Sequence, residues 1–242
     1  MQRCDHHDWT SEAYVDEWVS RQRVEDSRRA ERFQLMCDLF PFPTDATVTI
    51  LDVGAGYGPV SQYILDRFPN ATCIAQDGSE PMLSRARTLM ETYGERFQPH
   101  QSDLFDPYWL PTSSGPFDAA VSSSCLHNLR DFKRISEIYR DLREQLKPGG
   151  AFLNLDLLNA PSSALQQRYI GVAAARRQRE GGAREDVGSM MLRRAERSPA
   201  EVGAGPFPAN LEQHLAALQA AGFKEVDCFW KDLQRALYGG YV

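Results

Sequence analysis

Ile50-Leu51-Asp52-Val53-Gly54-Ala55-Gly56-Tyr57-Gly58-Pro59 reads as a strand, a tight turn and the start of a helix. A short apolar run with β-branched residues is broken by glycines, and Val60, Ile64 and Phe68 then follow at helical spacing. Gly54 and Gly56 remove the Cβ atoms that would hold a ligand away from the backbone, and the free N–H groups of the helix start face the space they leave. This is a geometry that cradles a nucleotide. The dinucleotide fingerprint, GxGxxG, needs different spacing: here the glycines fall at 54, 56 and 58, preceded by the acid Asp52.

Downstream, Pro69-Asn70 makes a turn, and Thr72 to Asp77 is a second short strand ending in an acid. Asp77 lies 23 residues after Gly54. In a doubly wound sheet that strand tip lies beside the glycine turn, where a carboxylate can accept both ribose hydroxyls. Ser79 is an N-cap for a helix with Met82, Ala86, Leu89, Met90 and Tyr93 on one face. Arg96 to Gln101 is a weaker third strand, followed by Ser102-Asp103-Leu104-Phe105. Gly115-Pro116 leads into a fourth strand and the loop beyond it, Phe117 to Leu129, rich in small residues that leave room for a ligand. Asp131 caps a helix carrying Ile135, Ile138, Leu142 and Leu146, which Lys147-Pro148-Gly149-Gly150 stops. Ala151 to Leu158 is a fifth strand, covered on both faces because it alternates little.

Upstream, Tyr14, Val15, Trp18, Val19, Phe33, Met36, Cys37 and Phe40 are set among charges from Thr10 to Phe40, giving one or two amphipathic helices that Pro41 and Pro43 end. Past the fifth strand, Leu165, Tyr169, Val172 and Ala173 form a helical face, and Gly181-Gly182 opens a loop before a second helical piece. Eight arginines stand against four acids from Arg168 to Arg197, a composition that suits carboxylate or phosphate recognition, a solvated hairpin or a dimerisation arm. Leu211, Leu215 and Leu218 then mark a last helix closed by Gly222, and Lys224 to Trp230 and Arg235 to Tyr241 two last strands.

The 242 residues suffice for one α/β domain with an appended cap. A net charge of −6 argues against a protein that coats nucleic acid. No apolar run has signal-peptide or membrane-helix character, which points to the cytoplasm. Five scattered cysteines without CxxC spacing suggest neither a disulfide framework nor a zinc site, and no metal is expected.

Taken in order, the GxGxG turn, Asp77, Ser-Asp-Leu after strand three, FDAAVSSSCLHNL, LKPGGAFLNLDLL and the ending AALQAAGFKEVDCFWKDLQRALYGGY resemble the class I S-adenosylmethionine (SAM)-dependent methyltransferases of small-molecule type. The resemblance implies a Rossmann-like, mostly parallel seven-stranded sheet of order 3-2-1-4-5-7-6 with the last strand antiparallel. The N-terminal helices and a helical insertion before the last helix are additions to it. The chain divides accordingly into an N-terminal helical lid (1–43), a SAM-binding core (44–158), a helical cap (159–208), and a helix and hairpin completing the core (209–242). For the site it implies Gly54, Ala55 and Gly56 at the methionine side, Asp77 on the ribose, Gly78 and Met82 beside the adenine, Asp103 and Leu104 as the adenine-binding pair, and Ser123 beside the methionine moiety.

SAM as cofactor, with S-adenosylhomocysteine as product, requires the protein to align a nucleophile for in-line attack and exclude water, with a base only where the acceptor has a proton to lose. His127, beyond strand four, is the candidate base, although the second histidine common in the family is Asn128 here. Tyr14, Trp18, Asp156 and Tyr169 are placed to line an acceptor pocket. The leading expectation is methyl transfer to a small molecule, with a homodimer through the insertion as a structural option. Alternatives are a SAM-modifying or tRNA-linked enzyme resembling carboxy-SAM synthase, a non-catalytic SAM-binding protein, or a nicotinamide-dependent oxidoreductase, the last lacking its fingerprint.

Overall fold

A computed structural model describes residues 8–111, 115–179 and 209–242. The second half of the expected insertion, with its glycine loop and half of its arginines, lies outside these residues, as does any dimer arm built from it. Seven strands form one sheet, β1 (Thr49–Val53), β2 (Thr72–Asp77), β3 (Phe97–Gln101), β4 (Phe117–Ser123), β5 (Leu146–Leu157), β6 (Lys224–Asp232) and β7 (Arg235–Tyr241), in the order 3-2-1-4-5-7-6. Strands β1 to β5 pair in parallel, and β7 runs antiparallel to both β5 and β6. Strand order therefore reverses between β1 and β4, where open α/β sheets leave a crevice at the carboxyl ends of their strands.

Among the described residues six α-helices flank the sheet: α1 (Glu12–Asp38), α2 (Pro59–Arg67), α3 (Glu80–Leu89), α4 (Phe132–Gln145), α5 (Ser163–Arg179) and α6 (Leu211–Ala220). On one face Tyr139, Leu142, Phe152, Leu218, Phe223 and Tyr238 pack together; on the other Phe33, Met36, Phe40, Ile64, Leu153 and Leu237 do. Phe152 and Leu153 point to opposite faces, so the apolar run read as strand five is buried on both sides. That strand starts earlier than expected. Lys147-Pro148-Gly149-Gly150 ends α4 and at once joins β5, because the slip between Phe117 and Ala119 absorbs the extra residues and Gly149 N–H donates to the Val242 carbonyl (3.1 Å).

The N-terminal region is one helix of 27 residues rather than two. Ser11 caps it by accepting from Tyr14 N–H (3.3 Å). Its second half contributes Phe33, Met36, Cys37 and Phe40 to the core, while its first half buries Val15 and Val19 against Tyr57 and Met82 beside the glycine turn. Two contacts hold that first half to α3: Ser79 Oγ–H donates to the Trp9 carbonyl (2.5 Å), and Arg85 reaches Asp16 (2.8 Å) and the Glu12 carbonyl (3.1 Å). Among the described residues no helix is long and apolar enough to cross a membrane.

Candidate functional site

A cavity of about 1310 Å³ opens along the carboxyl ends of the strands. Its wall includes Gly54, Ala55, Gly56, Asp77, Gly78, Met82, Asp103, Leu104 and Ser123, every cofactor residue expected from sequence. The glycine turn is laced to β2 by backbone donors. Gly54 N–H donates to Gln76 Oε1 (3.1 Å), Ala55 N–H to the Gln76 carbonyl (2.9 Å) and Gly56 N–H to Asp77 Oδ2 (2.8 Å). Gly54 has φ +65°, and a Cβ there would fall 1.9 Å from Cys125 Sγ, so the close approach of the loop beyond β4 requires glycine.

Asp77 also accepts Ser79 N–H at Oδ1 (2.8 Å). Each oxygen retains a lone pair, so the carboxylate can hold the turn and two ribose hydroxyls together. Burial pushes its pKa up, opposed by hydrogen bonds from Ser79, Gly56 and Gly78. Gln76, which the sequence reading passed over, ties the turn to β3 by donating from Nε2 to the Ser102 carbonyl (2.7 Å). An amide in an otherwise apolar buried strand was its only signal.

Asp52 is 1% exposed and lines the same cavity. Ser61 Oγ–H donates to its Oδ2 (2.7 Å), while Oδ1 is buried without a hydrogen bond, as is Ser123 Oγ. Burial pushes the Asp52 pKa up to about 7, the Ser61 hydrogen bond lowers it, and Asp77 raises it further. A glycine cradle and two orphaned buried acceptors fit the α-ammonium and sulfonium end of SAM. At the other end, the loop carrying Asp103 and Leu104 is held by Arg134, which donates to the carbonyls of Leu104 (2.6 Å) and Asp106 (3.2 Å).

Beyond β4 the chain turns into a short 3-10 helix, Leu126–Leu129, and His127 joins the wall. Its Nδ1 is 2.6 Å from Asp156 Oδ1, and its backbone N–H donates to Oδ2 (3.0 Å). The Asp156 side chain is 1% exposed, so it does not line the pocket as expected but lies behind His127 and orients it. Burial raises the Asp156 pKa, yet the His127 imidazole and hydrogen bonds from His127 and Leu157 outweigh burial and hold the carboxyl below its ordinary range. An ionised Asp156 accepts a hydrogen bond from Nδ1–H, which leaves Nε2 as the unprotonated nitrogen.

The aromatic guesses part company. Trp18 lines the cavity with Trp9, their rings edge-on at 5.4 Å. Tyr14 packs edge-on behind Trp9 (5.4 Å) outside the wall. Tyr169 is also outside it, because α5 turns the ring to Lys231, whose Nζ is 4.8 Å from its centroid. Arg29, Arg130 and Arg235 are in the wall and were not foreseen. Among the described residues no three His, Cys, Asp or Glu side chains are grouped to hold a metal ion.

Residues 50–150 match the methyltransferase domain family. The sheet these residues share with β6 and β7 has the fold of the class I methyltransferases. The chain carrying this domain is similar to trans-aconitate 2-methyltransferase of Acidovorax ebreus, at 31% identity over 175 residues, which are 71% of this chain and 59% of that protein. It is 34% identical over 104 residues to malonyl-[acyl-carrier protein] O-methyltransferase of Xylella fastidiosa, covering 43% of this chain and 33% of that one. The methyltransferase match thus spans less than two thirds of either relative. Human N-acetylserotonin methyltransferase, solved in complex with SAM, superposes on 96% of this chain and 57% of its own with a TM-score of 0.63 at 17% identity, a likeness of fold.

Proposed function

We propose that this protein transfers a methyl group from SAM to a nucleophilic atom of a small-molecule acceptor. The observation that carries this reading is one continuous cavity whose wall holds the glycine turn, Asp77 and His127, with Asp156 behind His127. Gly54, Ala55, Gly56, Ser123 and Asp52 would hold the methionine part of SAM, Asp77 the ribose, and Met82, Asp103 and Leu104 the adenine. SAM supplies an activated methyl group when bound, so the protein has to orient the acceptor and keep water out. Trp18 on the first half of α1, Trp9 just before it and Tyr57 from the glycine turn provide the exclusion.

His127 acts as general base. An acceptor hydroxyl set against Nε2 gives its proton to the imidazole as its oxygen takes the methyl group, leaving S-adenosylhomocysteine and an imidazolium stabilised by Asp156. Positioned bases contribute roughly 10²–10⁴-fold. His127→Ala should therefore lower kcat by about that factor without changing SAM affinity, and Asp156→Asn should lower it in the same direction. Calorimetric titration with SAM, S-adenosylhomocysteine and NADH tests the cofactor assignment, micromolar binding of the two sulfur nucleotides alone being expected. Turnover unaltered by His127→Ala would make that residue structural.

A further inference from the structure

Two parts of the cavity wall come from strands that do not pair with each other. Gly54 follows the end of β1 and Ser102 the end of β3, with β2 lying between them. Neighbouring strands are roughly 4.8 Å apart, so the glycine turn and the loop carrying Asp103 and Leu104 leave the sheet about 10 Å from one another. Register pairing ends just before both: Val53 is opposite Gln76, and Gln101 is opposite Asp77. A ligand that touches both parts therefore depends on what holds them at a fixed distance.

Gln76 bridges that gap. It is fully buried, belongs to the cavity wall, and uses both ends of its amide: Oε1 accepts Gly54 N–H (3.1 Å) and Nε2 donates to the Ser102 carbonyl (2.7 Å). These partners fix which way the amide points, because an N–H can only donate and a carbonyl can only accept. The chain of bonds continues past Ser102. Its Oγ–H donates to the Trp109 carbonyl (2.7 Å), and Trp109 Nε1–H donates to Asp141 Oδ2 on α4 (2.8 Å). The loop beyond β3 is thus anchored on one side to the glycine turn and on the other to a helix, and a buried chain with its members paired is rigid.

Resting on the reading of this cavity as a SAM site, we propose that Gln76 is the positioning residue that sets the spacing between the glycine turn and the loop beyond β3, and with it the affinity for a cofactor that spans both. Gly54, Ala55 and Gly56 all direct their N–H groups to Gln76 or Asp77, so the turn takes its place from β2. The role demands one acceptor and one donor on a planar group of this length. Glutamine has both. A carboxylate has acceptors only and would set an oxygen against the Ser102 carbonyl, whereas a protonated carboxyl again has one of each. The titratable side chains that share this wall from the neighbouring segments are Asp8, Asp52, Asp77, Asp103, Cys125 and His127. Burial and the four carboxylates disfavour a further negative charge, so a carboxyl introduced at position 76 takes up its proton on the acid side of neutrality.

The test titrates the full chain with S-adenosylhomocysteine by calorimetry at pH 5.5 and 8.5, each variant being compared with the unaltered chain at the same pH so that the ionisation of Asp52 cancels. Gln76→Met, of similar length but with neither N–H donor nor oxygen acceptor, should bind about tenfold or more weakly at both pH values, the equivalent of losing two hydrogen bonds. Gln76→Glu should bind about tenfold or more weakly at pH 8.5 and return to within about threefold at pH 5.5. Thermal unfolding followed by circular dichroism establishes that each variant is folded at the titration temperature, so that affinity reports the site and not the folded fraction. Affinity within about twofold of the unaltered chain in Gln76→Met, or a Gln76→Glu deficit that is the same at both pH values, would each overturn the assignment. Loss of the folded state in both variants would do so too, making Gln76 a support of the fold alone. Binding of S-adenosylhomocysteine that ignores both substitutions removes only the role of Gln76, whereas an unaltered chain that binds neither it nor SAM removes the cofactor reading itself.

Discussion

At the scale of single residues, two carboxylates set the cofactor end. Asp77 holds Gly56 and Ser79 by their backbone N–H groups while facing the cavity, so Asp77→Ala removes ligand contacts and loosens the turn together. SAM affinity should fall by at least about 1.5–3 kcal/mol, the range for hydrogen bonds to a charged group, read by calorimetry. Asp52 controls how that affinity depends on pH. Its pKa is pushed up to about 7, above the ordinary 3.8, so in the unliganded protein its ionisation costs stability as pH rises between those values. A cationic ligand favours the ionised form and expels the proton. SAM affinity should therefore rise as pH climbs through about 7, with proton release visible as a buffer-dependent binding enthalpy, and Asp52→Asn should flatten the profile. Of these two, Asp77 could be read from its place at a strand tip, whereas the buried orphan oxygen of Asp52 emerged only once Ser61 had taken the other one.

At the scale of elements, α1 divides its labour. Phe33, Met36 and Phe40 are core, and Val15 and Val19 seal the first half onto Tyr57 and Met82. Val15→Asp buries a charge against that seal and should detach the first half alone. Hydrogen exchange would then rise over residues 12–20 and stay protected over 33–38, with weaker SAM binding; uniform loss of protection would mean that the helix acts as one unit. The sequence pattern located this helix but could not allot its halves, because both carry the same amphipathic signal. The fifth strand shows a similar limit: Lys-Pro-Gly-Gly predicts a stop for α4 correctly, and only pairing with β4 and β7 turns the same residues into the start of β5.

At the scale of the whole molecule, β5 joins both faces of the core. Phe152 is fully buried among Tyr139, Phe223 and Tyr238, and Phe152→Ala should cost about 3–5 kcal/mol in chemical denaturation. Behind it, Tyr139 OH contacts His214 Nδ1 (2.7 Å) and Tyr238 OH (3.2 Å), and Asn154 donates to Tyr238 OH (2.8 Å). Burial lowers the His214 pKa to about 4. A depressed histidine pKa means that protonation favours the unfolded chain. This contribution is intact above about pH 6.5 and is lost as pH falls toward 4, amounting to about 3 kcal/mol. His214→Asn should remove that slope from a stability–pH curve.

The succession of strands along the chain, the glycine turn and the acid at the tip of β2 were determined by the sequence itself, because each rests on local chemistry: apolar period, φ above zero, and a carboxylate at a fixed distance along the chain; the order of the strands within the sheet was implied only by the resemblance of these motifs to a family. Tertiary structure alone decided that Asp156 serves His127, that Tyr14 and Tyr169 stand outside the cavity, and that Arg29, Arg130 and Arg235 are in its wall. Those residues come from α1, the turn beyond β4, β5, α5 and β7, and no periodicity in a single segment encodes which of them share a wall. Pairing of β7 with β5 brings Arg235 beside Leu157, 78 positions earlier in the chain, and so places it in the cavity wall.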